Sequence, residues 1–228
     1  MWTGSRFLLW GGVATTGLAV DGALYDPVED SWVSVPPAPV AGRLYMASAW
    51  SGTELIIWGG SALTEGGEQL SDGARFDPIA GTWRSVAPSP LRPRQGPASI
   101  WMNDSMLVWG GSSIGPTGPF KSGLLSDGAR YDPSNEAWSM LPSGPLTPRV
   151  LPNAAWTGDE ALVWGGIGGD VTRAGEIERR GGLFGCLDEV GSVGGTGSRC
   201  RRGCARFAAI WAGRSKGSAI SLSQRDRR

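Results

Sequence analysis

The sequence predicts an all-β fold assembled from four-stranded repeat units. Three observations carry this. The string Trp-Gly-Gly recurs at Trp10, Trp58, Trp109 and Trp164, at intervals of 48, 51 and 55 residues, and self-similarity at such a period marks a repeat architecture. A second string follows the first three of these: Asp21-Gly22-Ala23-Leu24-Tyr25-Asp26-Pro27, Asp72-Gly73-Ala74-Arg75-Phe76-Asp77-Pro78 and Asp127-Gly128-Ala129-Arg130-Tyr131-Asp132-Pro133. The composition agrees. The chain has 37 Gly, 16 Pro and 12 Trp, with 18% charged residues. Abundant Trp and few charges exclude a disordered chain, and Gly and Pro between short apolar runs suit turn-rich β structure.

The elements of one unit follow in order. The first strand covers about 44–50 and ends at Trp50, and a tight turn follows at Ser51-Gly52-Thr53. The second strand is Leu55-Ile56-Ile57-Trp58, an unbroken apolar run that suits a strand buried on both faces. Gly59 and Gly60 close it, as Gly11 and Gly12, Gly110 and Gly111, and Gly165 and Gly166 close its counterparts. Glycine there permits positive φ and close packing. The third strand lies near Gly73–Phe76. Asp77-Pro78 opens a turn, because Pro presets φ and Asp bonds its own backbone. The fourth strand holds Trp83. The aromatic of the third strand stands seven residues before the Trp of the fourth in every unit: Tyr25 to Trp32, Phe76 to Trp83, Tyr131 to Trp138. An Arg stands seven before the Trp ending the next first strand: Arg43 to Trp50, Arg94 to Trp101, Arg149 to Trp156. Only the connection between the Gly pair and the next Asp-Gly varies, with 8, 11 and 15 residues. Short hairpins fix the register of the rest.

Gly-Gly, a variable loop, an aromatic, six residues and a Trp together resemble the kelch motif, and the doubled Trp resembles bacterial kelch-repeat proteins. The resemblance covers nearly all of residues 1–166. It implies a kelch-type β-propeller of about three and a half blades, an incomplete ring, with repeat units at about 2–49, 50–100, 101–155 and 156–184. Members often carry a His at the start of the first strand; this chain has none, and Met46, Pro97 and Pro152 stand near that position.

The Trp residues read as the core between blades. A buried Trp removes about 150–250 Å² from water, worth roughly 4–6 kcal/mol gross. Asp21, Asp72 and Asp127, like Asp26, Asp77 and Asp132, read as turn formers; one carboxylate per turn is too few for calcium. Arg43, Arg94 and Arg149 carry two readings. By resemblance, the connection between blades and the loop between second and third strands line one face where partners bind, and Arg there grips an acidic or peptide ligand. Alternatively each Arg bonds carbonyls of a neighbouring blade.

Catalysis finds no support. Without His there is no Ser-His-Asp or Cys-His arrangement, and the His, Tyr and Cys chemistry of the kelch-like galactose oxidase has no counterpart in the propeller segment. No catalytic residue, metal site or cofactor is expected. No basic n-region with a long apolar stretch marks a signal peptide, and Leu8-Leu9-Trp10 is far short of a membrane span. Resemblance alone suggests the cell envelope or exterior.

Residues 185–228 differ from the rest. They carry 9 basic and 3 acidic side chains against 12 and 18 in residues 1–184, and all three cysteines, Cys186, Cys200 and Cys204. Arg180-Gly181-Gly182-Leu183-Phe184 aligns with the third strand of a fourth unit. Asp-Pro should follow but Gly185-Cys186 does, and the Trp expected at 191 is Gly191 after Val190. Codons GTG-GGN would hold TGG in the next frame, so a frameshift after Phe184 and an irregular or disordered tail are expected. The basic tail lacks the interleaved aromatics of a nucleic-acid segment, and its three Cys make a poor zinc site.

Three functional readings follow. The first is a non-catalytic interaction module that binds a protein or carbohydrate through its inter-strand loops. The second is the propeller scaffold of an enzyme whose catalytic groups lie in missing blades or domains. The third is a non-functional frameshifted fragment. An incomplete ring also implies self-association through open blade edges; nucleic-acid and membrane partners are not expected.

Overall fold

A computed structural model of the chain describes residues 1–15, 17–62, 68–113, 123–168 and, for the backbone alone, 185–187. Every described element is a strand. The first sheet contains β1 (Phe7–Trp10), and beyond it β2 (Val13–Ala14) and β3 (Gly17–Leu18) form a small hairpin. β4 (Gly22–Asp26) and β5 (Ser31–Val35) complete that sheet in the order β1-β4-β5, with Trp2 bridging Phe7 where a first strand would run. The second sheet is β6 (Ala47–Trp50), β7 (Leu55–Trp58), β8 (Gly73–Asp77) and β9 (Thr82–Ser85). The third is β10 (Ala98–Met102), β11 (Ser105–Trp109), β12 (Gly128–Asp132) and β13 (Ala137–Met140). β14 (Arg149–Val150) precedes the fourth sheet, formed by β15 (Asn153–Trp156), β16 (Ala161–Trp164) and β18 (Gly185–Leu187); β17 (Ile167–Gly168) pairs with β14.

All pairings are antiparallel and share one register. Trp10, Trp58 and Trp109 face Gly22, Gly73 and Gly128 across the ladder, and Tyr25, Phe76 and Tyr131 face Trp32, Trp83 and Trp138. The sheets thus run 7–35, 47–85, 98–140 and 153–187, so a repeat boundary at Trp50 falls on the last residue of β6.

Two differences from the sequence reading stand out. The first strand begins at Ala47, not residue 44, because Tyr45 takes a φ of 54° and interrupts the extended chain. The strand beside β16 is Gly185–Leu187, with Val163 facing Gly185. It lies three positions after the expected alignment, which puts Gly182 opposite Val163; 180–184 lie outside the described residues, as does all of 188–228.

Successive sheets stack face to face, and β7 shows why its run is wholly apolar. Leu55 and Ile57 pack with Leu8, Leu24 and Val35 of the first sheet. Ile56 and Trp58 point the other way, onto Met106, Val108 and Tyr131 of the third. Leu107 and Trp109 in turn pack with Ala161 and Val163 of the fourth. A thin sheet between two others has no solvent face, so its central strand needs apolar residues at both parities. The first strand β10 contacts both β6 and β15 directly, and Ser99 Oγ bonds both the amide and the carbonyl of Ser48. They therefore form the crowded inner edge of the stack.

The Asp-Pro turns recur with the same chemistry. Asp26 Oδ1 accepts the amides of Val28 and Glu29, Asp77 Oδ1 those of Ile79 and Ala80, and Asp132 Oδ1 those of Ser134 and Asn135. These bonds hold Asp26 and Asp77 below the usual carboxylate range; for Asp132 the Ser134 hydroxyl adds the largest share. A depressed folded-state pKa contributes stability that is fully present above the unfolded value of about 4 and lost as the pH falls through the folded value. Urea midpoints are therefore expected to drop as pH falls below about 4. A triple Asp→Asn variant at 26, 77 and 132, which accepts the same amides without titrating, should show a shallower acid limb.

Candidate binding face

Each segment between sheets runs beside the chain that leaves the Gly pair. Leu44 bridges Ser61, which bridges Gln69; Gln95 bridges Ser112, which bridges Leu124; Arg149 and Val150 pair with Gly168 and Ile167. At one end of the second and third sheets the inter-sheet connection, outgoing loop and returning loop thus lie side by side, and in the fourth the connection lies beside the outgoing chain. The Gly pair makes this approach possible. Gly60 and Gly111 have φ of 96° and 97°, and a Cβ would come within 2.6 Å of Leu44 O and 2.8 Å of Gln95 O. A side chain there would push the connection off the loop. Neighbouring units are also tied: Gln69 Nε2 donates to Ser112 O at 2.8 Å.

The arginines sit beneath this end. Arg43 Nη1 donates to Gly59 O and Asp72 O, and its two Nη groups hold both Asp72 carboxylate oxygens at 2.9 and 3.2 Å. Nε donates to Ala41 O. Arg94 repeats the set with Gly110 O, Asp127 O, both Asp127 carboxylate oxygens at 3.0 Å, and Arg92 O. Both guanidiniums are 0% exposed. Of the two readings of these residues, this is the geometry of the carbonyl clamp, and it turns both side chains away from the face. Burial pushes the Asp127 carboxyl up, but the Arg94 hydrogen bonds and charge outweigh that and hold it below the usual range. Asp72 and Asp127 are thus clamp partners as well as turn residues. Arg149 keeps the carbonyl bonds to Thr147 and Gly165, and among the described residues no carboxylate joins it. It is half-buried and is the one of the three with access to solvent.

Two places after each Arg stand Tyr45, Gly96 and Leu151, of which Tyr45 and Leu151 face solvent while Gly96 is buried beneath Val150 and Leu151. Gly96 N donates to Tyr45 O and Leu151 N donates to Gly96 O, each at 2.7 Å. This ladder of single bonds steps along the inner edge from unit to unit. All three have positive φ, 54°, 61° and 54°, unusual for Tyr and Leu. Tyr45 is 60% and Leu151 49% exposed, on either side of a glycine with no side chain. The repeat spacing did not single out these residues. The available signal was a position that changes type in each unit between fixed neighbours.

Among the described residues no group of three or more His, Cys, Asp or Glu could hold a metal, and no helix is long and apolar enough to cross a membrane.

No family model matches the chain. It is similar to an F-box/kelch-repeat protein of Arabidopsis thaliana, 29% identical over 57% of this chain and 34% of the relative. It is similar to human kelch repeat and BTB domain-containing protein 13, 30% identical over 57% of this chain and 26% of the relative. It also resembles beta-scruin of Limulus polyphemus, 27% identical over 51% of this chain and 13% of the relative. The chain therefore has distant kelch-repeat relatives over about half its length, and spans about a third or less of each. With these relatives, the four-stranded sheets are propeller blades.

Proposed function

We propose that this chain is a non-catalytic interaction module, a kelch-type propeller segment that binds a protein partner on the face built from its inter-blade connections and loops. The single observation that carries this is the row Tyr45, Gly96, Leu151. Two exposed apolar side chains are held in left-handed backbone on either side of a buried glycine, by hydrogen bonds that run from blade to blade. Strained, exposed positions on a rigid frame are where ligand contacts concentrate. The connections after the Gly pairs vary in length, with 8, 11 and 15 residues, and loop variation on a constant scaffold is a usual source of specificity. A chain without His lacks the commonest general acid–base residue, which favours binding over catalysis. In this reading Arg43 and Arg94 act from below, fixing the face, and Arg149 is the arginine that meets the partner.

Selection of a phage-displayed random peptide library against the chain tests this. Enriched peptides are expected to bind a Tyr45→Ser/Leu151→Ser variant at least about tenfold more weakly than the wild type, as truncation of interface anchors does. Peptides that bind both equally, or no enrichment at all, would count against the face.

A further inference from the structure

The second and third blades differ at one matched place, at the end of the sheet away from the Gly pairs. In the second blade that place is filled by charge. Glu54, just before β7, accepts from Arg84 Nη2 at 2.6 Å and lies 3.8 Å from Arg75 Nη1. Glu54 and Arg75 are both buried. Arg75 also donates to Pro133 O at 2.6 Å and to Glu136 in the turn of the third blade. One carboxylate thus answers two guanidiniums on neighbouring strands.

The third blade keeps the central arginine and loses the rest. The repeat register puts Ser105, Arg130 and Ser139 where the second blade has Glu54, Arg75 and Arg84. Two long charged side chains become two short hydroxyls. A cavity of about 180 Å³ is found there, lined by these three residues together with Asp104 and Asp132 among others. Arg130 is half-buried in it, and among the described residues no carboxylate or carbonyl bonds its guanidinium. Ser105 is 5% exposed and its Oγ has no hydrogen-bond partner, which is rare for a buried hydroxyl. Asp104, Ala137 and Ser139 are exposed, so the cavity opens to solvent at the turn end of the sheet.

We propose that this cavity binds a small carboxylic acid. The ligand carboxylate takes on Arg130 the place that the Glu54 carboxylate takes between Arg75 and Arg84, and Ser105 Oγ donates to one of its oxygens. The choice of ligand rests on the repeat itself, because the matched place in the second blade already holds a carboxylate. A planar guanidinium suits that group, and the hydroxyl supplies a further donor. The carboxylates on the rim do not forbid it. Asp132 is taken up by Ser134 and Asn135 of its own turn, and the charge of exposed Asp104 is screened by water and salt. They restrict it instead: a second carboxylate on the ligand would meet Asp104, so a monoacid is favoured. The site lies at the opposite end of the sheet from the binding face and does not depend on it.

The test is an NMR titration of the isotope-labelled 228-residue chain with propionate. Amide shifts are expected at Ser105, Arg130 and Ser139, saturating with a Kd on the order of millimolar, as suits so small a ligand. Propionamide, which has the same shape without the charge, should leave these resonances in place. Arg130→Gln should weaken propionate at least about tenfold, the loss expected for a charged hydrogen bond, and Arg130→Lys should recover only part of it. Ser105→Glu/Ser139→Arg rebuilds the second-blade cluster inside the cavity. It should abolish the propionate shifts and raise the thermal midpoint. If that double variant fails to fold, Arg130→Gln decides alone, with its own thermal midpoint showing that it folds. A wild type without saturable shifts overturns the proposal; a carboxylate of the chain itself seated on Arg130 would give that result. So do shifts that propionamide reproduces or that survive Arg130→Gln.

Discussion

Arg94→Ala is expected to lower stability by about 3 kcal/mol, the sum of a buried cavity and several unmade hydrogen bonds. The guanidinium is fully buried and donates to Gly110 O, Asp127 O and Arg92 O as well as to the Asp127 carboxylate. Removing it leaves three carbonyls of the loop base without this donor. Asp127 itself is 42% exposed, so water solvates much of its charge and the loss stays below that of a fully buried pair. Arg94→Lys should recover less than half, because one ammonium cannot reproduce the planar fork. Arg149→Ala is the internal comparison. Its side chain is half-buried with fewer acceptors, and it should cost under about 1 kcal/mol. Urea unfolding with m-values checks all three; equal costs at 94 and 149 would mean that the clamp adds nothing.

Trp58→Ala should cost more still, about 3–5 kcal/mol. Trp58 is fully buried between the second and third blades, and its ring is the partner of Trp138. Truncation opens a cavity across the interface and strips Trp138 of its contact. Trp58→Phe should cost far less, about 1 kcal/mol, because the Trp58 indole N–H has no acceptor among the described residues and its removal breaks no hydrogen bond. Trp138→Phe, by contrast, forfeits the bond to Ala87 O. Calorimetric midpoints of the three variants should rank Trp58→Ala lowest, then Trp138→Phe, then Trp58→Phe. If Trp58→Phe fell with Trp58→Ala, the indole N–H would have to be bonded.

Both predictions rest on features of different legibility. The burial of Leu55, Ile56, Ile57 and Trp58 was readable, because four consecutive apolar residues of strand length between turn signals suit a strand covered on both sides. The Asp-Pro turns were readable too, since Asp26, Asp77 and Asp132 bond amides two and three residues away and need nothing from the rest of the fold. The arginines were not. A charged residue in a connection has the same spacing whether it points out to a ligand or in to a carbonyl. The choice is made by Gly59 O, Asp72 O and the Asp72 carboxylate, which lie 16 and 29 residues from Arg43 and converge only when the loop closes on the connection.

By itself the sequence determined the four-stranded unit, its register and the two-sided burial of its second strand, because these depend on residue spacing along a few neighbouring strands. Tertiary structure decided which way Arg43 and Arg94 point, that Tyr45 and Leu151 stand exposed with positive φ, and that Trp32 is bare while Trp83 and Trp138 are covered. Trp32, Trp83 and Trp138 are the same residue in the same local pattern. What separates them is whether another blade packs against the sheet, and side-chain burial is a property of that packing rather than of the repeat.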